Sequence, residues 1–170
     1  DRLRREQPNL KQFSTLSPIP GFMGWLKQSL KENELDFKGA EQKKLKAVIG
    51  KIPTLGILSE QLSSIKWAKD EPLAEALQTV LKRFAAIYLL KAKGRDSAHA
   101  LDPVAHFHLS NGASIQQPNW MADTSGKGLR ESCGLMINYH YRLDRIERHH
   151  EKYSGSGKIT VSSTVSGLLK

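Results

Sequence analysis

Two stretches carry residue types suited to chemistry. Ser17 stands in FSTLSPIPGF (13–22), where alternating residues run into Pro-Ile-Pro-Gly, and His108 stands in LDPVAHFHLSNGA (101–113). A hydroxyl beside an imidazole can orient a carbonyl or pass a proton, but two residues far apart in sequence are a pair only if the fold makes them one. His106 and His108 would share one face if they lay on a strand, offering two metal ligands; no nearby Cys, Asp or Glu supplies the third that a site needs. His149 and His150 are neighbours on an expected helix, so they point apart and read as surface residues. The single Cys133 excludes an intrachain disulfide framework and a multi-cysteine zinc site, and as a buried thiol it reads as a small hydrophobe. TSGKG and SGSGK invite a phosphate-loop reading. The Walker pattern around Gly157-Lys158 needs Gly and Ser or Thr where Lys152 and Ile159 stand, so both stretches read as turns.

The elements that must position these residues follow from periodicity. The first segment is expected to end a helix at Gln7, because Pro8 disfavours helical geometry before it. LKQFSTL alternates and predicts a strand. Pro20 suits the first turn of a helix, and Phe22, Trp25, Leu26 and Leu30 follow at helical spacing, which places Ser17 at a strand-to-helix junction. Short helices are expected over 41–49 and 56–62, and a long one over 72–93, where Leu73, Leu77, Val80, Leu81, Phe84, Ile87 and Tyr88 form one stripe. Alternation leading into Asn111-Gly112 predicts a hairpin pairing 104–109 with 113–117, with His106 and His108 facing one side. A loop-rich crossing then leads to a helix over 135–153 with Leu135, Tyr139, Leu143 and Ile146 in register. SGSGK reads as a flexible break, and the tail ITVSSTVSGLL fits either strand or helix.

Composition bounds the class. At 170 residues and 39% hydrophobic, the chain suits one compact domain. No apolar run approaches the ~20 residues needed to cross a bilayer, so the sequence reads as soluble. Its beginning lacks the features of a signal peptide, and the expectation is a protein that is not secreted. A formal charge of +9 suits an anionic partner, whether nucleic acid, acidic membrane or a phosphorylated small molecule, and suits a solvated basic surface equally.

FSTLSPIPGF, LDPVAHFHLSNGA and NWMADTSGKGLRESCGLMINYHY (119–141), in this order, resemble the carboxy-terminal part of malonyl-CoA decarboxylases, strongly over 10–141 and weakly thereafter. The resemblance implies that 1–170 is the carboxy-terminal portion of a catalytic domain of GNAT-like acyltransferase fold, α/β (α+β) with a mixed sheet and flanking helices. It implies conversion of malonyl-CoA to acetyl-CoA and carbon dioxide, setting malonyl-CoA levels in fatty-acid metabolism, with no metal or organic prosthetic group; CoA is part of the substrate. By motif, Ser17 and His108 match the family's catalytic serine and histidine. Tyr141 matches a supporting position, and Asn111 with Gly112 matches the motif while reading more simply as turn residues. The resemblance further implies a homo-oligomeric full-length protein. The family's amino-terminal helical domain and phosphate loop lie outside the sequence given, so the isolated chain is expected to be inactive; Lys127 and Arg130 are candidates to attract the phosphates. A bacterial source would make the protein cytoplasmic, and a eukaryotic one mitochondrial, peroxisomal or cytosolic; the ending LLK does not match a Ser-Lys-Leu signal. Two alternatives stay open. Acyl transfer from CoA to an amine would need an acceptor, and a basic nucleic-acid-binding module would show steep salt dependence.

Overall fold

The computed structural model describes residues 5–170. Its elements are β1 (Gln12–Pro18), α1 (Phe22–Lys31), α2 (Gly39–Ile49), α3 (Leu55–Gln61), a 3-10 turn (Lys66–Lys69), α4 (Glu71–Lys91), α5 (Pro103–Ser110), β2 (Ser114–Asn119), α6 (Gly126–Ser132), β3 (Met136–Arg142), α7 (Ile146–Ser156) and α8 (Ser163–Leu168). The helix expected to end at Gln7 lies partly outside the described residues; Arg5 and Glu6 are helical.

The sheet has the order β1-β3-β2, and both pairings are antiparallel, where the expectation is a mixed sheet. The one parallel feature among the described residues is an isolated bridge between Ile115 and Val161, beyond which the ambiguous tail turns into α8. On β3, Ile137, Tyr139 and Tyr141 are buried while Met136, Asn138 and His140 alternate with them on the other face. The β1 residues Phe13, Thr15 and Ser17 stand opposite Tyr141, Tyr139 and Ile137, so hydroxyls and aromatic rings share one sheet face. A bulge at Gln116 offsets β2 against β3.

Helix α4 is the spine of the core, with Leu77, Val80, Leu81 and Phe84 fully buried. Asp70 caps it by accepting the Leu73 N–H at 3.1 Å, and Pro72 occupies its first turn, where a missing N–H costs nothing. Arg83, buried on the same helix, donates to both carboxylate oxygens of Glu41 at 2.7 Å and to the Asp36 carbonyl at 2.6 Å, which ties α2 to α4. On α1, Phe22, Leu26 and Leu30 are buried, as their spacing predicts.

Two elements differ in type from the sequence reading. The segment 104–109 is not a strand of a hairpin but part of α5. Asp102 is a helix cap whose carboxylate accepts the Val104 and Ala105 N–H groups at 3.0 and 2.9 Å, Pro103 follows it, and Ala105, His108 and Leu109 are buried at helical spacing. Asn111 and Gly112 therefore end a helix rather than join two strands. Gly112 sits at φ +82, and a Cβ there would lie 2.3 Å from the Ile146 carbonyl oxygen, so only glycine fits. The second difference is 135–153, expected as one helix. It divides into strand β3, a turn, and α7; consecutive positive φ values at Cys133 and Gly134 end α6 and release the chain into the strand. The SGSGK break is likewise not a loose joint: α7 continues to Ser156 and closes on Gly157, whose N–H donates to the Tyr153 carbonyl at 2.8 Å.

Candidate active site

Ser17 and His108 meet. Ser17 Oγ lies 3.0 Å from His108 Nε2, and both residues are buried, at 7% and 8% exposure. Tyr141 Oη lies 2.7 Å from the other ring nitrogen, Nδ1. Both imidazole nitrogens are thus held by hydroxyls, and among the described residues no carboxylate meets either. The ring also stacks on Tyr139, centroids 4.3 Å apart and planes at 20°, while Phe13 stacks on Tyr141 at 4.9 Å. Thr15 Oγ1 lies 3.0 Å from Ser17 Oγ. Burial pushes the pKa of His108 below its ordinary value, so the resting ring favours the uncharged form; burial also raises that of Tyr141.

The local architecture explains how these groups come together. Ser17 is the last inward-facing residue of β1, and Ile19, fully buried, anchors the turn that follows. Gly21 lets the Tyr88 hydroxyl approach closely: a Cβ there would stand 2.3 Å from it. That hydroxyl donates to Asp102 at 3.0 Å, and Asp102 caps the helix carrying His108. Serine turn, long helix α4 and histidine helix are therefore joined through Tyr88 and the fully buried Asp102. The Tyr139 hydroxyl, also fully buried, has no hydrogen-bond partner among the described residues.

The other candidates read from the sequence fall elsewhere. His106 lies on a different side of α5 from His108 and binds the Tyr153 hydroxyl at 2.8 Å, so the two histidines do not form a bidentate metal pair; among the described residues no three His, Cys, Asp or Glu side chains cluster as ligands. Asn111 is exposed at the end of α5 and donates back to the Phe107 carbonyl at 2.7 Å. Lys127 and Arg130 belong to α6, where Arg130 lines a groove with Lys27, Ser63 and Ser64. Cys133 is fully buried, and burial pushes its thiol up to about 12, which disqualifies it as a nucleophile at neutral pH. Of the two adjacent histidines, His150 is exposed and its Nδ1 donates to the Ser110 carbonyl at 2.6 Å, while His149 is half-buried. The sequence alone does not single out Thr15, Tyr139, Tyr88 or Asp102. Asp102-Pro103 is a readable helix start, and Thr15 is two residues from Ser17 on the same strand; nothing local marks the two tyrosines.

A small α/β domain presenting a buried serine–histidine–tyrosine constellation on one sheet face is the class this geometry defines. A family model described as "Malonyl-CoA decarboxylase C-terminal domain" matches residues 1–170, and the chain belongs to that family. It is 46% identical over 174 residues to "Malonyl-CoA decarboxylase, mitochondrial" of Rattus norvegicus and 39% identical to the protein of the same name from Anser anser anser, covering 98% of this chain in each case. The chain spans 35% of the rat protein's length and 34% of the goose protein's. Among solved structures, malonyl-CoA decarboxylase from Rhodopseudomonas palustris superposes with a TM-score of 0.80 at 37% identity, covering 98% of this chain and 35% of that one. The enzyme from Agrobacterium vitis gives 0.80 at 33%, covering 99% and 38%.

Proposed function

We propose that this domain carries the catalytic pair of a malonyl-CoA decarboxylase, converting malonyl-CoA to acetyl-CoA and carbon dioxide. The observation that carries the reading is the buried 3.0 Å contact between Ser17 Oγ and His108 Nε2, completed by Tyr141 on Nδ1. Breaking the bond between the α-carbon and the carboxylate releases carbon dioxide and sends the electron pair into the thioester as an enolate, and the α-carbon then takes a proton. The site must stabilise negative charge on the thioester oxygen and deliver the proton. An incoming malonyl carboxylate beside His108 favours the imidazolium over the uncharged ring that burial alone prefers. His108 holds this proton on Nε2 against Ser17 Oγ until the enolate forms and then delivers it to the α-carbon, while Ser17 hydrogen-bonds and orients the carboxylate or thioester and the Tyr141 oxygen accepts from Nδ1–H. After protonation the ring is neutral again and regains its proton from solvent.

A GNAT-like fold, a reaction without metal or prosthetic group, and a role in controlling malonyl-CoA in fatty-acid metabolism are parts of the same reading. The fold is supported by the mixed α/β architecture and by Ser17 standing where a strand turns into a helix. Hydrogen-bond donors suffice in principle for enolate stabilisation, since oriented donors are typically worth ~3 to 4 kcal/mol of barrier each. We further propose that the full-length protein is a homo-oligomer.

The test is to give malonyl-CoA to the intact protein without an acyl acceptor and follow acetyl-CoA by mass spectrometry, alongside Ser17→Ala and His108→Ala. Turnover by the wild type, with collapse in both folded variants, is the expected result. A wild type that binds CoA but forms no acetyl-CoA would overturn the reading.

A further inference from the structure

We infer that Thr15 is a positioning residue for Ser17, resting on the decarboxylase reading above. Strand β1 alternates, so Thr15 and Ser17 project from the same face, and their oxygens lie 3.0 Å apart. The contact extends the site into a chain of four groups, Thr15, Ser17, His108 and Tyr141, joined by contacts of 3.0, 3.0 and 2.7 Å. Thr15 is only half-buried, and the strand could bury a valine there as well; the hydroxyl is what aims at Ser17.

Counting protons shows what it does. A hydroxyl oxygen donates one hydrogen bond and accepts two. When His108 is charged, Nε2–H occupies one acceptor position on Ser17 Oγ. With Thr15 Oγ1–H assigned as the donor of the second contact, the single Ser17 hydrogen has no partner among the described residues and is directed to the substrate. The same two contacts, one from the neighbouring position of its own strand and one from α5, hold the oxygen from two directions. Without the threonine hydroxyl, Ser17 is held by His108 alone and its hydrogen is free to rotate, and loss of orientation at a reacting group lowers the rate more than the affinity.

The experiment compares Thr15→Val and Thr15→Ser in the intact protein. Thr15→Val, which keeps shape and removes the hydroxyl, is expected to lower kcat about tenfold with KM nearly unchanged, the scale of one lost hydrogen bond. Thr15→Ser, which restores a hydroxyl, is expected to recover most of that loss. A Thr15→Val enzyme at the wild-type kcat, or a Thr15→Ser enzyme as slow as Thr15→Val, overturns the proposal. Histidine-selective nitrogen NMR gives a reading that does not depend on turnover: Thr15→Val is expected to change the His108 ring-nitrogen shifts and those of no other histidine. If the wild type makes no acetyl-CoA, the decarboxylase reading fails, and unaltered His108 shifts in Thr15→Val then overturn the Thr15 contact on their own.

Discussion

Helix α5 carries two histidine–tyrosine pairs that look alike and work differently. His108 Nδ1 meets the Tyr141 hydroxyl at 2.7 Å, and His106 Nδ1 meets the Tyr153 hydroxyl at 2.8 Å. The difference lies in what surrounds them. Tyr153 also accepts the Ala100 N–H at 2.9 Å, and the exposed His106 imidazole serves as a clasp between α5, the preceding loop and α7. His108 is buried, stacked on Tyr139, and its second nitrogen meets Ser17. The same pairing thus staples the fold on one side of the helix and, on the other, holds a buried imidazole that the proposed mechanism uses as its acid–base group. The second nitrogen's partner and the burial decide which.

The comparison breaks most sharply at the rings themselves. His108→Ala is expected to lower kcat about 10²- to 10⁴-fold, whereas His106→Ala leaves kcat at the wild-type level, both measured as acetyl-CoA formation by the intact protein. Comparable losses in the two folded variants would erase the distinction. At the tyrosines the contrast is between rate and stability. Tyr141→Phe is expected to slow turnover about tenfold, and Tyr153→Phe to cost about 1 to 3 kcal/mol in urea denaturation at unchanged rate, because the buried Ala100 N–H loses its acceptor.

Asp102 sharpens the comparison further, since it caps the helix that bears both pairs. Asp102→Ala should cost about 1 to 2 kcal/mol, with Asp102→Asn retaining most of the cap; equal stability of Ala and Asn variants in denaturant titrations would refute the capping account. The smallest effect is pH dependence. Burial lowers the His108 pKa, so the unfolded chain binds more protons near pH 6. The stability tied to the neutral ring is therefore present above ~6.5 and lost as pH falls through the lowered folded value. His99 behaves oppositely: its hydrogen bond with Asp96 raises its pKa, and its contribution fades as pH rises through that value. Denaturation midpoints between pH 7 and 5 should fall less steeply in His108→Gln than in the wild type.

How far the sequence can be read depends on how local each signal is. The α4 stripe, with its Asp70 cap and Pro72, is legible because one long helix repeats its buried spacing many times. Segment 104–109 misleads because alternation and Asn-Gly outweigh Asp102-Pro103, although i, i+3, i+4 burial of Ala105, His108 and Leu109 favours a helix. At 135–146 the spacing of Leu135, Tyr139, Leu143 and Ile146 mimics a helix while Ile137, Tyr139 and Tyr141 alternate as a central strand. Short segments satisfy both periods, and only neighbours arbitrate. Even so, the motif resemblance attaches to the residue and not to its element, so His108 stays the candidate whichever element carries it.

By itself, then, the sequence determined the strand-to-helix junction at Ser17, the spine helix α4 and, through three motifs, the family and the choice of Ser17 and His108 as candidates. The tertiary structure alone decided that His108 stands on a helix and His106 faces away, that Tyr141 reaches Nδ1 from a strand, and that Thr15 touches Ser17. The physical reason is that local signals report the conformational preferences of a few neighbouring residues. A hydrogen bond between Ser17 and His108 requires the sheet register, the Asp102 cap and the Tyr88 tether to be satisfied together, and these join segments that no short window contains.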